Sequence, residues 1–459
     1  MGSKPLFKYS LFGCIFGAIV FFEPAILFLS FIVLSIILFI QTRSEEDRSN
    51  LIKIVFIAFI LRFIFFFISI AYIYFGELKI FEHAVIGRVV GLSVQAFRDF
   101  QREILNGRLI AKYLRGDFGY VANLNEISFG GHGRLHFGAF LLGVLNFLFG
   151  DSILNLCSFP IISLWVVILT YYLAKEIFDR QVAAFSSLII AVLPSFNMWS
   201  SSNIRMTIGI CGALIMVYSL TLFYKENKLK FILPLLVSIF IFSVVKEKLL
   251  RPTLLIVPFV LFMGLNFKLR FKIILLGLAG AIMFIGLKTF GALQYKLTNL
   301  LTDMVLAQRG FSTENIRHYK IYDDFVYYAS FTGFSSLTLV ISVMLRALPK
   351  GISYFLLAPF PWDIDSVLRL YSYPQMIFWY FALGFGLLGI CKVAIEKKSD
   401  TLPMIYISSF FIILFSLVLG NEGITARFRD MVSPFFYIFA GSVLCKFLPL
   451  KQNEDYKNS

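Results

Sequence analysis

Asp99 is the carboxylate whose surroundings best suit proton transfer. It lies in residues 94–104. Phe97, Phe100 and Ile104 of this segment recur at helical spacing, which predicts an amphipathic helix with its apolar stripe in the membrane surface and Asp99 beside it. A carboxylate at a partly dry interface is poorly solvated and suits a general base that takes a proton from a hydroxyl. An ordinary solvated aspartate on an amphipathic helix fits the same pattern.

Basic residues suited to phosphate binding occur in several distant places. A guanidinium group stays charged and can bind two phosphate oxygens at once. The candidate substrate-binding residues of this type are Arg205, Lys246, Arg251, Arg427 and Arg429. Snorkelling or contact with lipid headgroups is the alternative for each. Their recurrence in distant parts of the chain favours a shared anionic ligand.

Two further patterns concern metals and substrate contacts. Asp363 and Asp365 have the D-x-D spacing that some metal-dependent sugar transferases use, although two aspartates often fall two apart by chance. The four histidines have no metal-ligand spacing. His132, in a Gly-Gly-His-Gly sequence, is a candidate substrate contact or simply part of a turn. We expect no cofactor, with a divalent cation at the aspartate pair as a weak alternative.

The composition defines what must position these residues. The chain has 459 residues, of which 59% are hydrophobic and 15% charged, with a mean hydropathy of +0.82. Apolar blocks of about 15 to 25 residues alternate with short polar segments, as transmembrane helices require. We therefore predict an all-α polytopic membrane protein with about 13 or 14 transmembrane helices. Transmembrane β-barrels, secreted disulfide scaffolds and disordered proteins are excluded.

The net charge of +15 does not indicate nucleic acid as a partner. Basic residues accumulate in the cytoplasmic loops of polytopic proteins, and here they form no arginine-rich stripe. The five cysteines have no paired spacing, which predicts neither a disulfide nor a metal site.

Loop charges predict one integral membrane domain, 1–459, with both termini cytoplasmic. Its predicted parts are a first outer loop at 76–133, a surface or re-entrant helix at 134–150, a second outer loop at 291–328 and a cytoplasmic tail at 446–459. A basic turn at 346–350 predicts a break between two helices, the second of them short, near 353–360. The predicted outer face collects a mixture of carboxylates and guanidinium groups, whereas the inner face has mainly lysine-rich turns.

Several stretches resemble the GT-C superfamily of membrane glycosyltransferases, which includes protein O-mannosyltransferases and lipid A aminoarabinose transferases. The resemblance covers most of the chain through short motifs. It is carried by His136-Phe to Phe149-Gly-Asp-Ser152, Leu173-Ala-Lys-Glu-Ile-Phe-Asp-Arg180, Leu193-Pro-Ser-Phe-Asn-Met-Trp-Ser-Ser-Ser-Asn-Ile-Arg205, Asp99 followed by Ile110-Ala-Lys-Tyr-Leu-Arg-Gly116, Ala358-Pro-Phe-Pro-Trp362 and Gly420-Asn-Glu-Gly-Ile-Thr-Ala-Arg427-Phe-Arg429.

The resemblance implies an inverting transfer of a sugar from a polyprenyl-phosphate donor to a glycan, lipid or protein acceptor at the outer face. It also implies a location in the bacterial inner membrane. Asp99 would accept the proton of the attacking hydroxyl, and Arg251, Arg427 or Arg429 would stabilise the leaving phosphate. No redox or organic cofactor is needed because the leaving group is already an activated phosphate.

Three other functions remain open. An O-antigen type polymerase or ligase also acts on lipid-linked sugars with outer-face arginines. A transporter or flippase for lipid-linked sugars predicts charges within the helices and internal symmetry, neither of which is clear in the sequence. A purely structural membrane protein is the third.

Overall fold

The computed structural model of the chain describes residues 23–76, 91–117, 137–202, 204–245, 247–264, 274–275, 277–278, 291–313, 319–332, 336–360 and 367–447. These residues are almost entirely helical and contain no β-strand. The helices are α1 Ala25–Gln41, α2 Glu45–Gly76, α3 Gly91–Leu114, α4 Phe137–Phe149, α5 Ile153–Ile177, α6 Arg180–Val192, α7 Pro194–Ser202, α8 Ile204–Glu226, α9 Ile232–Val245, α10 Glu247–Gly264, α11 Gly291–Thr313, α12 Asp324–Thr332, α13 Leu337–Leu357, α14 Val367–Ile395, α15 Leu402–Val418, α16 Glu422–Arg429 and α17 Ser433–Phe447.

Six stretches of the described residues are long and apolar enough to span a bilayer. They are Glu45–Ala71, Ile153–Ile177, Arg205–Glu226, Leu337–Leu357, Gln375–Ile395 and Ser399–Val418. Helices α6 and α7 meet at Pro194 with a bend of 62°. They form a seventh span if the pair crosses the membrane as one broken helix. The prediction of an all-α polytopic membrane protein is confirmed. The predicted count of about 13 or 14 helices stays a prediction, since apolar parts of the chain such as 1–22 lie outside the described residues.

Contacts divide the chain into two units, Met1–Leu214 with Phe240–Glu247 and Ile215–Ile239 with Lys248–Ser459. In the first unit, α2 packs against α5, α6 and α7, and α3 packs against α4. Ion pairs and hydrogen bonds hold the N-terminal end of α2. The buried Asp47 carboxylate accepts hydrogen bonds from Ser44 at 2.8 Å and Tyr171 at 3.0 Å, and pairs with Lys175 and Arg180. These residues come from segments predicted on the same side of the membrane, as this contact requires.

In the second unit, α14 packs against α17, α13 against α15, and α11 against α12, α13 and α15. Small residues allow the closest approaches. A Cβ atom added to Gly386 of α14 would lie 2.9 Å from the ring of Phe436 on α17. The predicted second outer loop, 291–328, is therefore largely helical, since it contains all of α11 and the start of α12.

The predicted helix break at 346–350 is wrong, because α13 runs without interruption from Leu337 to Leu357. A buried stripe recurs at helical spacing throughout it, comprising Val340, Met344, Ala347, Gly351 and Phe355. Arg346 and Lys350 lie on the exposed face. The basic residues thus mark one face of a helix rather than its end, and no separate short helix begins near 353.

Candidate functional site

Helix α3 carries Asp99 and is fixed to the first unit by the residue that follows it. Phe100 is fully buried, and its ring contacts Phe66 of α2 at 6.4 Å and Phe159 of α5 at 6.1 Å between centroids. Ile104 is buried in the same cluster. The predicted helix is therefore present, but Phe100 and Ile104 pack against other helices rather than into the membrane surface. The Asp99 side chain lies outside the described residues.

Helices α3 and α4 approach each other closely because glycines line their contact. A Cβ atom added to Gly138 would lie 2.6 Å from the carboxylate of Glu103, and one added to Gly143 would lie 2.5 Å from Ile110. Glu103, one turn after Asp99, therefore packs against the start of α4. At about 20 Å for its 13 residues, α4 is shorter than the roughly 30 Å hydrocarbon core. This length agrees with the predicted surface or re-entrant helix.

Polar contacts join the end of α3 to the turn between α4 and α5. Arg108 forms an ion pair of 2.9 Å with Asp151, and Arg115 donates to the Asn146 carbonyl at 2.5 Å. The Asn155 amide donates to the Asn146 side-chain oxygen at 2.8 Å. Two segments that carry the family resemblance, 110–116 and 136–152, are thus neighbours in space.

Arg429, at the end of α16, has its guanidinium group bound to the protein. Its Nε donates to the Phe355 carbonyl at 2.9 Å and its Nη2 to the Ala358 carbonyl at 2.5 Å, while Nη1 lies 3.0 Å from the Met376 sulfur. The same group lies 5.6 Å from the ring centroid of Trp379. It therefore satisfies carbonyls at the end of α13, which a helix leaves without partners.

These contacts give Arg429 a structural role, and its role in phosphate binding stays a prediction. The residue is only 4% exposed. Burial lowers the pKa of Arg429 to about 10, so it keeps its positive charge near neutral pH, beside the negative end of the α13 dipole. Arg427 is two residues earlier and about 200° away around α16. It is half-buried and contacts other residues of the protein.

A buried cluster of polar residues, the Tyr319 cluster, also holds α16 in position. It consists of Gln308, Tyr319, Tyr327, Tyr354 and Thr425. The Tyr319 and Thr425 hydroxyls lie 2.7 Å apart, and the Tyr319 ring stacks on Tyr354 at 4.3 Å. Gln308 of α11 donates to the Tyr319 carbonyl at 2.9 Å and accepts a hydrogen bond from Tyr327. The cluster joins the predicted second outer loop to the segment that carries Arg427.

Sequence reasoning missed this cluster. The only local signal is the repeated tyrosine at positions 319, 322 and 327. Tyr322 donates to the Leu417 carbonyl at 3.1 Å, and burial raises the pKa of the Tyr322 and Tyr327 phenols. These phenols therefore stay protonated near neutral pH and act as hydrogen-bond donors.

Several predicted site residues cannot be placed in a common site. His132, Lys246, Asp363 and Asp365 lie outside the described residues. Arg251 is in α10, but its side chain is not described. Arg205, the second residue of α8, is half-buried and contacts other residues. No group of three or more metal-ligating side chains occurs among the residues that the structure describes.

Sequence reasoning also missed Arg62, which lies inside the span Glu45–Ala71. Its side chain is fully buried, and none of its three guanidinium nitrogens has a hydrogen-bond partner among the residues that the structure describes. The sequence showed no clear charge within the predicted helices, and the buried Arg62 corrects that interpretation. A single basic residue in an otherwise apolar span was the available signal, since charges at this depth often mark functional sites.

Comparisons of the chain with protein-family models, with curated proteins and with solved structures found no match.

Proposed function

We propose that this protein transfers a sugar from a polyprenyl-phosphate-linked donor to an acceptor at the extracytoplasmic face of the membrane. The observation that carries the proposal is the attachment of α3. Asp99 directly precedes Phe100, which is buried between α2 and α5. A general base needs a fixed position relative to its substrate. A helix held against two membrane spans can provide that position for a lipid-linked donor.

The proposed reaction is an inverting substitution at the anomeric carbon of the sugar. The acceptor hydroxyl forms the new C–O bond while the bond between the sugar and the phosphate breaks. Asp99 takes the hydroxyl proton, and the polyprenyl phosphate leaves with the electron pair of the broken bond. Because the leaving phosphate already carries negative charge, nearby guanidinium groups lower the barrier. Arg427 and Arg251 are the proposed contacts, with Arg205, Lys246 and His132 as further substrate contacts.

The acceptor is a glycan, a lipid or a protein, and the proposed location is the bacterial inner membrane with both termini cytoplasmic. Two contacts each join segments that are predicted on the same side of the membrane. Arg108 contacts Asp151, and both lie in segments predicted on the outer side. Asp47 contacts Lys175, and both lie in segments predicted on the inner side.

The test is a profile of lipid-linked sugars in cells that carry the intact gene, no gene or the Asp99→Asn variant. Loss of transfer should cause one polyprenyl-linked species to accumulate in the second and third strains. Asp117→Asn, which changes an exposed carboxylate just after α3, is the matched control and should behave like the intact gene. An unchanged profile in the strain without the gene would contradict the proposal.

A transporter or flippase for lipid-linked sugars is the second candidate, and Arg62 is the observation that favours it. Membrane proteins that move charged substrates place ionisable residues within their spans. Proteoliposomes that contain an isotope-labelled lipid-linked sugar distinguish the two functions. Transfer converts the donor to polyprenyl phosphate and a glycosylated acceptor, whereas transport moves an unchanged donor between leaflets.

A further inference from the structure

Arg62 lies deep within the first unit. It is 17 residues after Glu45 and 9 before Ala71 in a 27-residue span. At about 1.5 Å per residue, it is roughly 14 Å or more from either end. Its side chain is fully enclosed by the protein and does not reach a membrane surface. Snorkelling, the usual explanation for a basic residue in a span, therefore does not apply.

The charge of Arg62 is not compensated by the described part of the chain. Its Nε, Nη1 and Nη2 atoms are all buried without an acceptor. The group that interacts with it electrostatically is the thiol of Cys211 on α8, and a buried thiol is neutral near pH 7. A buried charge without a partner costs several kcal/mol. Such a cost is offset when an anion supplies the missing acceptors.

We propose that Arg62 binds a phosphate group that reaches the interior of the first unit. A planar guanidinium offers paired N–H donors that match two oxygens of a phosphate. In a membrane, phosphate is the commonest anionic group that is joined to apolar chains, so a lipid can bring it to this depth together with a tail that suits the surroundings. This inference does not rest on the proposed sugar transfer, and its test does not measure that reaction.

Access to the site requires a local movement of the helices. The enclosed side chain leaves no space beside it in this packing. Helix α2 packs extensively against α5, α6 and α7, but α8, which carries Cys211, is not among the helices that pack extensively on it in the described part of the unit. We place the opening between α2 and α8 for this reason. The free energy recovered by pairing the Arg62 charge favours the open, occupied form.

The experiment measures the thermal unfolding of the purified full-length protein, delipidated in a non-ionic detergent. The probes are dihexanoyl phosphatidate, which exposes an anionic phosphate, dihexanoyl phosphatidylcholine, whose phosphate is shielded by choline, and inorganic phosphate. Ligands that bind only the folded state raise the unfolding temperature in a saturable way. We expect phosphatidate to raise it and phosphatidylcholine to leave it unchanged.

Two variants connect the effect to Arg62. Arg62→Gln should weaken phosphatidate binding about thirtyfold or more, since it removes one member of a buried charged pair. Arg48→Gln, in the same helix but near its N-terminal end, makes the same charge change and should retain wild-type binding. If Arg62→Gln does not fold, Arg62→Lys keeps the charge but not the paired donors, and should weaken binding measurably.

The outcomes are distinct. If phosphatidate alone raises the unfolding temperature, the bound phosphate belongs to a lipid. If inorganic phosphate raises it equally, the site binds free phosphate. The proposal is overturned if no phosphate probe raises the unfolding temperature of the wild type. It is also overturned if the Arg62 variants bind as the wild type does, or if Arg48→Gln loses binding to the same extent. Because none of these readouts involves sugar transfer, their failure is distinguishable from failure of the proposed function.

Discussion

The hydroxyl of Tyr319 lies 2.7 Å from that of Thr425, although the two residues are 106 positions apart in the chain. Thr425 is in the middle of α16, four residues before Arg429 and two before Arg427. The backbone N–H of Tyr319 also donates to the Gly420 carbonyl at 2.8 Å. Tyr319 therefore sets the position of the helix that presents both arginines.

We expect Tyr319→Phe to lower the free energy of unfolding by about 1 kcal/mol, because it removes one buried hydrogen bond and keeps the stacked ring. A double-mutant cycle with Thr425→Val measures the coupling between the two hydroxyls. Tyr295→Phe, at an exposed position of α11, is the matched control and should leave unfolding unchanged. Independent, additive effects of the two cycle variants would contradict the coupling.

Arg427 and Arg429 should respond differently to substitution. Arg429→Ala leaves the carbonyls of Phe355 and Ala358 without these donors, and we expect it to lower the free energy of unfolding by about 3 kcal/mol. Arg427→Ala should have a smaller effect on unfolding but should raise the barrier to donor use by about 2 to 4 kcal/mol. Thermal unfolding and kcat/KM for the donor separate these effects. Normal donor kinetics in a well-folded Arg427→Ala protein would remove Arg427 from the site.

Asp99→Asn keeps the shape of the side chain and removes its ability to take a proton. Activity should fall by about 10² to 10⁴ while donor binding and unfolding remain near wild type. Asp117→Asn is the exposed control for these kinetics. Glu103→Gln examines the other carboxylate on α3, which packs against Gly138. Near-normal turnover in Asp99→Asn together with loss in Glu103→Gln would transfer the role of base to Glu103.

Local periodicity was enough to predict the elements around Asp99. The apolar repeat through Phe100 and Ile104 predicted α3, and a short apolar segment between polar residues predicted α4. The surroundings of α3 were not predictable from the same pattern. The apolar stripe of a helix has the same sequence pattern whether it contacts lipid or another helix. Phe66 and Phe159, which cover the stripe of α3, are distant from it in sequence.

The predicted arginine site shows the same limit. Arg429 resembles a phosphate ligand in sequence because it is basic and adjacent to an apolar stretch. Its carbonyl partners are Phe355 of α13 and Ala358 just after that helix, more than 70 residues earlier. Charge is equally ambiguous at Arg346 and Lys350, since exposed basic residues occur both on one face of a helix and at its end.

Arg62→Gln should stabilise the delipidated protein. The substitution removes a buried charge that has no hydrogen-bond partner in the described part of the chain, so we expect the free energy of unfolding to rise by about 3 kcal/mol. Arg48→Gln, which lies near the end of the same helix, should change it by less than about 0.5 kcal/mol. Denaturant or thermal unfolding in detergent measures both values. Destabilisation by Arg62→Gln in the delipidated protein would indicate that the guanidinium has a stabilising partner within the chain.

Helix α4 should not cross the membrane, because its 13 residues are too few and the turn at its end is tied to α3 by the ion pair between Arg108 and Asp151. In a cysteine-free background, single cysteines at Gly131 and Asp151 flank this helix. A membrane-impermeant thiol reagent applied to sealed cells should label both from the outside. The Asp151→Cys change also removes the ion pair, so Ser152→Cys serves as the second position that keeps it. Labelling of the two flanks from opposite sides would show that α4 spans the bilayer, and would reverse the predicted side of every segment that precedes it.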